Sequence, residues 1–588
     1  MRAPIPAGAL TLPLLLLFAA GAHAARVDVE LEGLNDEMRD AVRASLGLAE
    51  YEKRDISAAE LRASFKEADQ QIRKALEPFG YYDVEVQKDL SGDAANGWKA
   101  KLVVQPGEPA VVRSVHVEVH GEGKDQRRVA QALEGFVPKV GERLDHASYE
   151  ASKAVIDTSL RGAGYLDAKY TQRRVTVKPE MQSADIDLAW ESGPRYRFGD
   201  VRFTGDSPFP DKFLQEFVPW REGAHFNSEQ VLNLQQRLVD ADYFELVSVQ
   251  PALDEKKDGT VPIDVLVNRD ERTVYTGEVY YSTDFGAGVR VGAERRWLNK
   301  KGHKADVDIE YSQRLEEYAV HYQIPRPARD DRSYDYGVAY RDETTDVSRS
   351  RNFQVAASRS ERRWHGFTRT LGFKYLKGDF LIGPDDEDPE FGSSQLLWAE
   401  GTLTRRRVND RLAPRKGYVF NVGVRVASDA VVSDTDIAQA FGSVTWLRPQ
   451  GDKGRLKLRG EAGAMAVGNF DALPPDLRFY AGGDRSVRGF DYHEIGETNA
   501  SGTVIGGRYL AVASAEYEHY FLEDWGAAVF VDAGDAFTND FSVNVGAGVG
   551  LRWRSPLGPI RLDFGFPVVT DLEPEDSWRI HLQLGPDI

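Results

Sequence analysis

From Glu271 onward the sequence alternates with a period of two, offers no helix-length 3.6 pattern, and grows rich in glycine and aromatic residues. In GYVFNVGVRVAS, Tyr418, Phe420, Val422, Val424 and Val426 point one way, while Asn421, Gly423 and Arg425 point the other. IRLDFGF and WRIHLQL repeat the pattern. Allowing about 20 residues for each strand with its turn, the region holds roughly 16 strands. A soluble sandwich shares the alternation, but not over this length. Mean hydropathy is −0.45, and no later stretch reaches the roughly 18 apolar residues of a spanning helix. A closed barrel, apolar toward lipid and polar inside, satisfies its backbone while keeping bulk hydropathy low.

The N-terminus sets the compartment. Arg2 supplies a positive start, Leu10 to Ala20 an apolar run, and Ala22-His23-Ala24 a small-x-small site cut before or just after Ala25. The expectation is a signal peptide over residues 1–24 and an exported mature chain. Without cysteine the chain carries neither a lipid anchor nor a disulfide, which suits a bacterial envelope protein. A formal net charge of −19 and a pI near 5.2 argue against a nucleic-acid partner, which needs clustered cations on one face. The arginine runs Arg405-Arg406-Arg407 and Arg362-Arg363 lie among strand-like segments and read as lumen or rim charges of the barrel.

Between Arg26 and about Asp270 the pattern repeats three times. Each unit opens on a short alternating strand ending in glycine: VDVELEG at Gly33, VHVEVHG at Gly121 and DVRFTG at Gly205. Two helical patterns follow, the second longer. Ser57 with Glu60 predicts a capping box, and Asn227 with Gln230 predicts its counterpart in the third unit. Each long helix runs into a turn at Gly80, Gly164 or Asp242, residues that tolerate the left-handed backbone such a reversal requires. Two strands close each unit. The predicted architecture is three β-α-α-β-β repeats at 25–110, 111–195 and 196–270, then a barrel over 271–588.

Residues for chemistry are sparse. There is no Gly-x-Ser-x-Gly elbow and no phosphate loop, and the glycines of GAGVGLRW fall on strand alternation, where they admit a neighbouring backbone. His116, Glu118 and His120 share one strand face, but histidines four apart on an extended strand lie about 13 Å apart, too far for one ion. The sequence therefore predicts no enzyme, no cofactor and no metal.

The repeats resemble polypeptide-transport-associated (POTRA) domains, and one loop sharpens the likeness. RFYAGGDRSVRGFDYHEIG contains Val487-Arg488-Gly489-Phe490, which resembles the VRGF/Y loop of the outer-membrane superfamily that includes BamA, TamA and the two-partner secretion transporters. The resemblance implies that this loop, between the eleventh and twelfth strands, folds into the lumen. It also implies that Arg488 meets Glu516 on the twelfth strand and Asp532 on the thirteenth. Alternation supports the second partner: with Ala527, Val529, Val531 and Ala533 toward lipid, Phe530, Asp532 and Gly534 point inward. Removing one member of such a buried pair typically costs about 3–5 kcal/mol, because the other charge is stranded.

Closing the barrel requires the first strand (Val274, Tyr275, Gly277, Val279, Tyr281) to meet the last (Trp578, Ile580, Leu582, Leu584). A weakly paired seam there exposes edges to which a client strand can add. Within the superfamily, three POTRA units resemble TamA-like members. That implies an outer-membrane assembly factor inserting or translocating autotransporter-like clients, partnered through the first POTRA unit by a TamB-like inner-membrane-anchored protein. The alternatives are a two-partner-type secretion pore for one dedicated substrate and a structural barrel that tethers envelope components.

Overall fold

The computed structural model describes residues 26–584 except 55, 94–96, 329–331, 365, 384–389, 411–413, 556–557 and 573–576. The signal segment 1–24 and the tail 585–588 lie outside the described residues.

The first repeat runs strand Val27–Glu32, helices Asp36–Ser45 and Ala58–Leu76, and strands Glu85–Asp93 and Gly97–Gln105. The last strand lies in the middle of its sheet, parallel to the opening strand and antiparallel to the other. Ala58–Leu76 begins at Ser57, whose side chain accepts from the Glu60 amide while the Glu60 carboxylate accepts from the Ser57 amide. Its buried face, Leu61, Ala68, Ile72, Ala75 and Leu76, packs on Val27, Val29, Ala100 and Leu102. This core is wholly apolar.

The second repeat spans Val111–His120, Arg127–Glu134, His146–Gly162, Lys169–Lys178 and Ser183–Glu191. The third spans Arg197–Asp206, Asp211–Gln215, Ser228–Asp240, Phe244–Pro251 and Thr260–Arg269. Both have three-stranded sheets with the same strand order as the first. The reversals at Gly80, Gly164 and Asp242 all take positive φ, at 85°, 101° and 58°. At Gly80 a Cβ would stand 2.3 Å from the Leu144 carbonyl oxygen, so side-chain bulk is excluded there as well as strained.

The third repeat departs from one expectation. Asn227 Oδ1 accepts from the Glu229 amide at 2.8 Å, but Gln230 Oε1 is buried without a hydrogen-bond partner. Gln230 therefore does not reach back to complete a capping box. One short polar side chain suffices to start this helix.

Sixteen antiparallel strands form the closed barrel. They are β1 Thr273–Ser282, β2 Gly286–Arg295, β3 Lys304–Ser312, β4 Leu315–Arg326, β5 Arg332–Thr344, β6 Ser348–Trp364, β7 Phe367–Ile382 and β8 Glu390–Val408. The second half comprises β9 Gly417–Ala427, β10 Ile437–Gln450, β11 Gly454–Val467, β12 Tyr509–Tyr520, β13 Trp525–Phe537, β14 Asn544–Ser555, β15 Gly558–Val569 and β16 Arg579–Leu584. On β13 the period-two pattern is plain: Val529 and Val531 are about half exposed on the outer wall, while Phe530 and Asp532 are buried inside. No described helix is long and apolar enough to cross a membrane.

Trp578 lies one residue before β16. Its register begins at Arg579, and Ile580, Leu582 and Leu584 are the members of the predicted final strand that hydrogen-bond within the wall.

Candidate functional site: the lumen loop and the seam

The segment between β11 and β12 folds into the lumen, and glycine makes this possible. On β14, alternation turns Gly546, Gly548 and Gly550 inward. A Cβ on Gly546 would lie 1.7 Å from the Arg488 carbonyl oxygen, and one on Gly565 of β15 would lie 2.6 Å from the Gly489 nitrogen. Gly489 itself adopts φ 101°, which strains any L side chain. Beside it, Val487 and Phe490 are fully buried, packed with Ala481, Ile495 and Val512.

Arg488 is the centre of the fastening. Its Nε donates to Asp532 Oδ2 at 2.7 Å and its Nη2 to Asp532 Oδ1 at 3.1 Å. Nη1 donates to Glu516 Oε2 at 2.8 Å and to Asp563 Oδ2 at 2.9 Å. The Arg488 amide adds a further bond to Asp532 Oδ2 at 3.1 Å. The guanidinium stands 3.5 Å from the Phe530 ring centroid. Fork geometry on a carboxylate plus a ring face is an arrangement a lysine cannot reproduce.

The sequence named Arg488, Glu516 and Asp532, and the fold brings all three together. It also brings in residues that sequence reasoning missed. Asp563 on β15 is a third carboxylate on Arg488. Arg552 on β14 donates to Asp563 Oδ1 at 2.5 Å and to Glu516 Oε1 at 2.7 Å. It also approaches Glu518, which Arg455 binds through two nitrogens. Carboxylates and guanidinium groups thus alternate across β11 to β15, so each buried charge has an opposite neighbour. The signal was present in the sequence: inward alternation in IRLDFGF and GLRWRS selects Asp563 and Arg552.

A second set of contacts ties the loop to the two strands that close the wall. His581 on β16 is buried; the Gly489 amide donates to its Nε2 at 2.9 Å, so Nδ1 carries the proton and donates to Asp484 Oδ1 at 2.8 Å. Thr283, in the turn after β1, donates to the same Asp484 oxygen at 2.6 Å and accepts from the Leu582 amide at 3.2 Å. The Asp484 amide donates to the Asp284 carboxylate. The loop therefore holds both sides of the seam.

The seam itself is thin. β1 pairs with β2 at ten positions and β15 with β16 at six, whereas among the described residues β1 and β16 pair only through Ser282 and Gln583. Val274, Tyr275, Gly277, Val279 and Tyr281 have no registered partner among the described residues of β16, and Tyr275 and Val279 are each 78% exposed.

Elsewhere, Asp306, Asp308 and His321 bring three possible metal-ligand atoms within 4.8 Å of one another. His321 Nδ1 already pairs with Asp306 at 2.8 Å. In the second repeat, His116 faces Asp187 and His120 faces Glu118.

A family model described as the Omp85 superfamily domain matches residues 266–588. The chain belongs to the Omp85 superfamily. In the same chain, residues 28–106 match the model described as POTRA domain TamA domain 1, and 196–270 match a POTRA model described as a surface antigen variable number repeat. The BamA outer membrane protein assembly factor of Nitratidesulfovibrio vulgaris is 24% identical over 453 residues, covering 73% of this chain and 56% of the relative. That of Neisseria meningitidis is 22% identical over 568 residues, covering 82% and 69%. The chain thus spans little more than half to two-thirds of the length of these relatives. The crystal structure of BamA from Haemophilus ducreyi lacking POTRA domains 1–3 shares the fold, with a TM-score of 0.63 at 17% identity, covering 81% of this chain and 99% of that one. The protein is an Omp85-family outer-membrane barrel with N-terminal POTRA domains in the periplasm.

Proposed function

We propose that this Omp85 protein is a TamA-type assembly factor, which inserts or translocates client outer-membrane proteins by opening the seam between β1 and β16. The observation that carries this reading is that, among the described residues, Ser282 with Gln583 is the one registered pair across the seam, where the neighbouring strand pairs have several. An unpaired strand edge presents a row of backbone donors and acceptors, and a client strand satisfies them by β-augmentation. Water is absent at membrane depth, so that edge favours a partner strongly.

In this mechanism the lumen loop is the lock. Arg488, Asp532, Glu516 and Asp563 hold it to the wall, while His581 and Thr283 carry the hold to both sides of the seam. The match of residues 28–106 to a TamA-type POTRA model supports the finer assignment, and with it a TamB-like inner-membrane-anchored partner on the first POTRA domain. No step requires a cofactor or a nucleophile.

The test exploits the absence of cysteine. A Ser282→Cys/Gln583→Cys pair, oxidised in proteoliposomes, locks the seam. The locked protein should retain its folded-barrel migration on unheated gels yet stop assembling an autotransporter-like reporter, and reduction should restore assembly. Full activity of the oxidised form sinks the proposal. Crosslinkers on the first POTRA domain should capture a long inner-membrane-anchored protein, and capture of a secreted substrate instead would favour the secretion pore.

A further inference from the structure

The arginine run Arg405-Arg406-Arg407 takes no part in the lumen lock, and its placement is informative. Arg407 sits opposite Tyr418 on β9, and Tyr418 opposite Trp446 on β10. Arg405 likewise sits opposite Phe420, and Phe420 opposite Val444. Phe420, Val424, Val426, Val444 and Trp446 are all exposed on the outer wall, so Arg405 and Arg407 share the face that meets lipid. These positions end β8, begin β9 and end β10. They therefore lie on the rim from which the N-terminal strand enters the barrel, the periplasmic side.

Here the wall is hollowed into a cleft of about 970 Å³, lined by Arg406, Arg407, Lys416, Arg448, Tyr418 and Trp446 among others, with no carboxylate among its described lining residues. The neighbouring sector of the rim differs: there Glu361 serves Arg332, Arg359 and Arg369 together. Arg407, Lys416 and Arg448 make no ion pair with any described residue. Beside them the Arg405 guanidinium lies over the Phe367 and Tyr418 rings, at 5.1 and 5.8 Å. In a chain of net charge −19, three cations, Arg407, Lys416 and Arg448, gathered without an ion pair in one cleft at the lipid face call for an anion.

We propose that this cleft binds the phosphodiester headgroup of an anionic glycerophospholipid in the periplasmic leaflet. Aromatic rings such as Tyr418 and Trp446 settle at headgroup depth, and arginine forks match phosphate oxygens in pairs. The long cationic side chains keep their stems on the apolar wall and their heads in the polar layer. From the cleft, Phe420, Val444 and Val424 continue toward mid-membrane along the same face, a path that suits acyl chains. A free phosphate has no use for that path. Clustered basic groups at a membrane surface select anionic lipids in this way.

The test is native mass spectrometry of the purified full chain in detergent, titrated with phosphatidylglycerol, phosphatidylcholine, lipid A or inorganic phosphate. The wild type should retain phosphatidylglycerol at about tenfold lower concentration than phosphatidylcholine. The Arg407→Gln/Lys416→Gln/Arg448→Gln variant should lose that preference while keeping folded-barrel migration, and an Arg407→Lys/Arg448→Lys variant should keep most of it. Single Arg407→Gln and Arg448→Gln variants, each expected to weaken retention about threefold, decide the matter if the triple variant fails to fold. Undiminished retention by the glutamine variants, no preference in the wild type, or equal competition by lipid A or phosphate would each overturn the proposal.

Discussion

The first POTRA domain and the barrel lumen solve the problem of an interior in opposite ways. In the POTRA domain, Leu61, Ile72, Leu76, Val29 and Leu102 close an apolar core behind polar helix faces. In the barrel the strands turn much of their apolar surface outward to lipid, and the interior combines small apolar clusters with buried polar groups. Around Arg488 the equivalent of a core is a lattice of Arg488, Arg552 and Arg455 with Asp532, Glu516, Asp563 and Glu518. An apolar core loses stability in proportion to the volume removed. A charge lattice fails when one member leaves its neighbours buried and uncompensated.

The most direct way to break that contrast is Arg488→Ala. It should lower barrel stability by about 3–5 kcal/mol, seen as a lower midpoint of heat-modified migration and as lost client assembly. Arg488→Lys should recover only part, because a lysine cannot form the fork on Asp532. If Arg488→Ala migrated and assembled clients like the wild type, the lattice would not be the lumen's core. Next comes Leu61→Ala, which should cost about 2–5 kcal/mol. Its effect should stay within the first POTRA domain, appearing as faster amide exchange over Ala58–Leu76 with barrel migration unchanged.

His581→Ala sharpens the comparison by loosening the lattice only at the seam. Losing its two hydrogen bonds should cost about 1–3 kcal/mol and speed amide exchange along β16 and the turn at Thr283, with the β12–β13 ladder untouched. The smallest effect concerns the second POTRA domain's surface. Hydrogen bonds from Arg113 and Ser114 hold the Asp185 carboxyl down at about 2, below its usual value of 3.8. Because the folded value is the lower one, its contribution is complete above about pH 4 and fades as pH falls toward 2. Asp185→Asn should flatten the domain's acid-unfolding profile in that window alone.

How much of this was legible in the sequence follows from the same contrast. Periodicity located the strands, because the side-chain period of a barrel wall is imposed by lipid on one face and water on the other. Turn chemistry located the reversals at Gly80, Gly164 and Asp242, because φ there is positive. Arg488 with Glu516 and Asp532 was legible through a family resemblance. Asp563, Arg552 and His581 could have been selected by inward alternation, but alternation says which face a charge occupies, not which neighbour it meets. The register of the seam was not legible at all. It is a relation between backbone groups of strands about 300 residues apart, and side-chain identity at Val274 or Trp578 does not encode it. Gln230 shows a smaller limit: the capping pattern matched, yet only Asn227 acts as a cap.

The inward glycines of β14 and β15 have a temporal meaning as well as a spatial one. Arg488 and Gly489 occupy the space that Gly546 and Gly565 leave open, and their partners are distributed over β12, β13, β15 and β16. The full set of contacts cannot form until the last of those strands is laid down. The docked loop therefore marks a finished barrel, because its last contacts become available only when the final strand is in place.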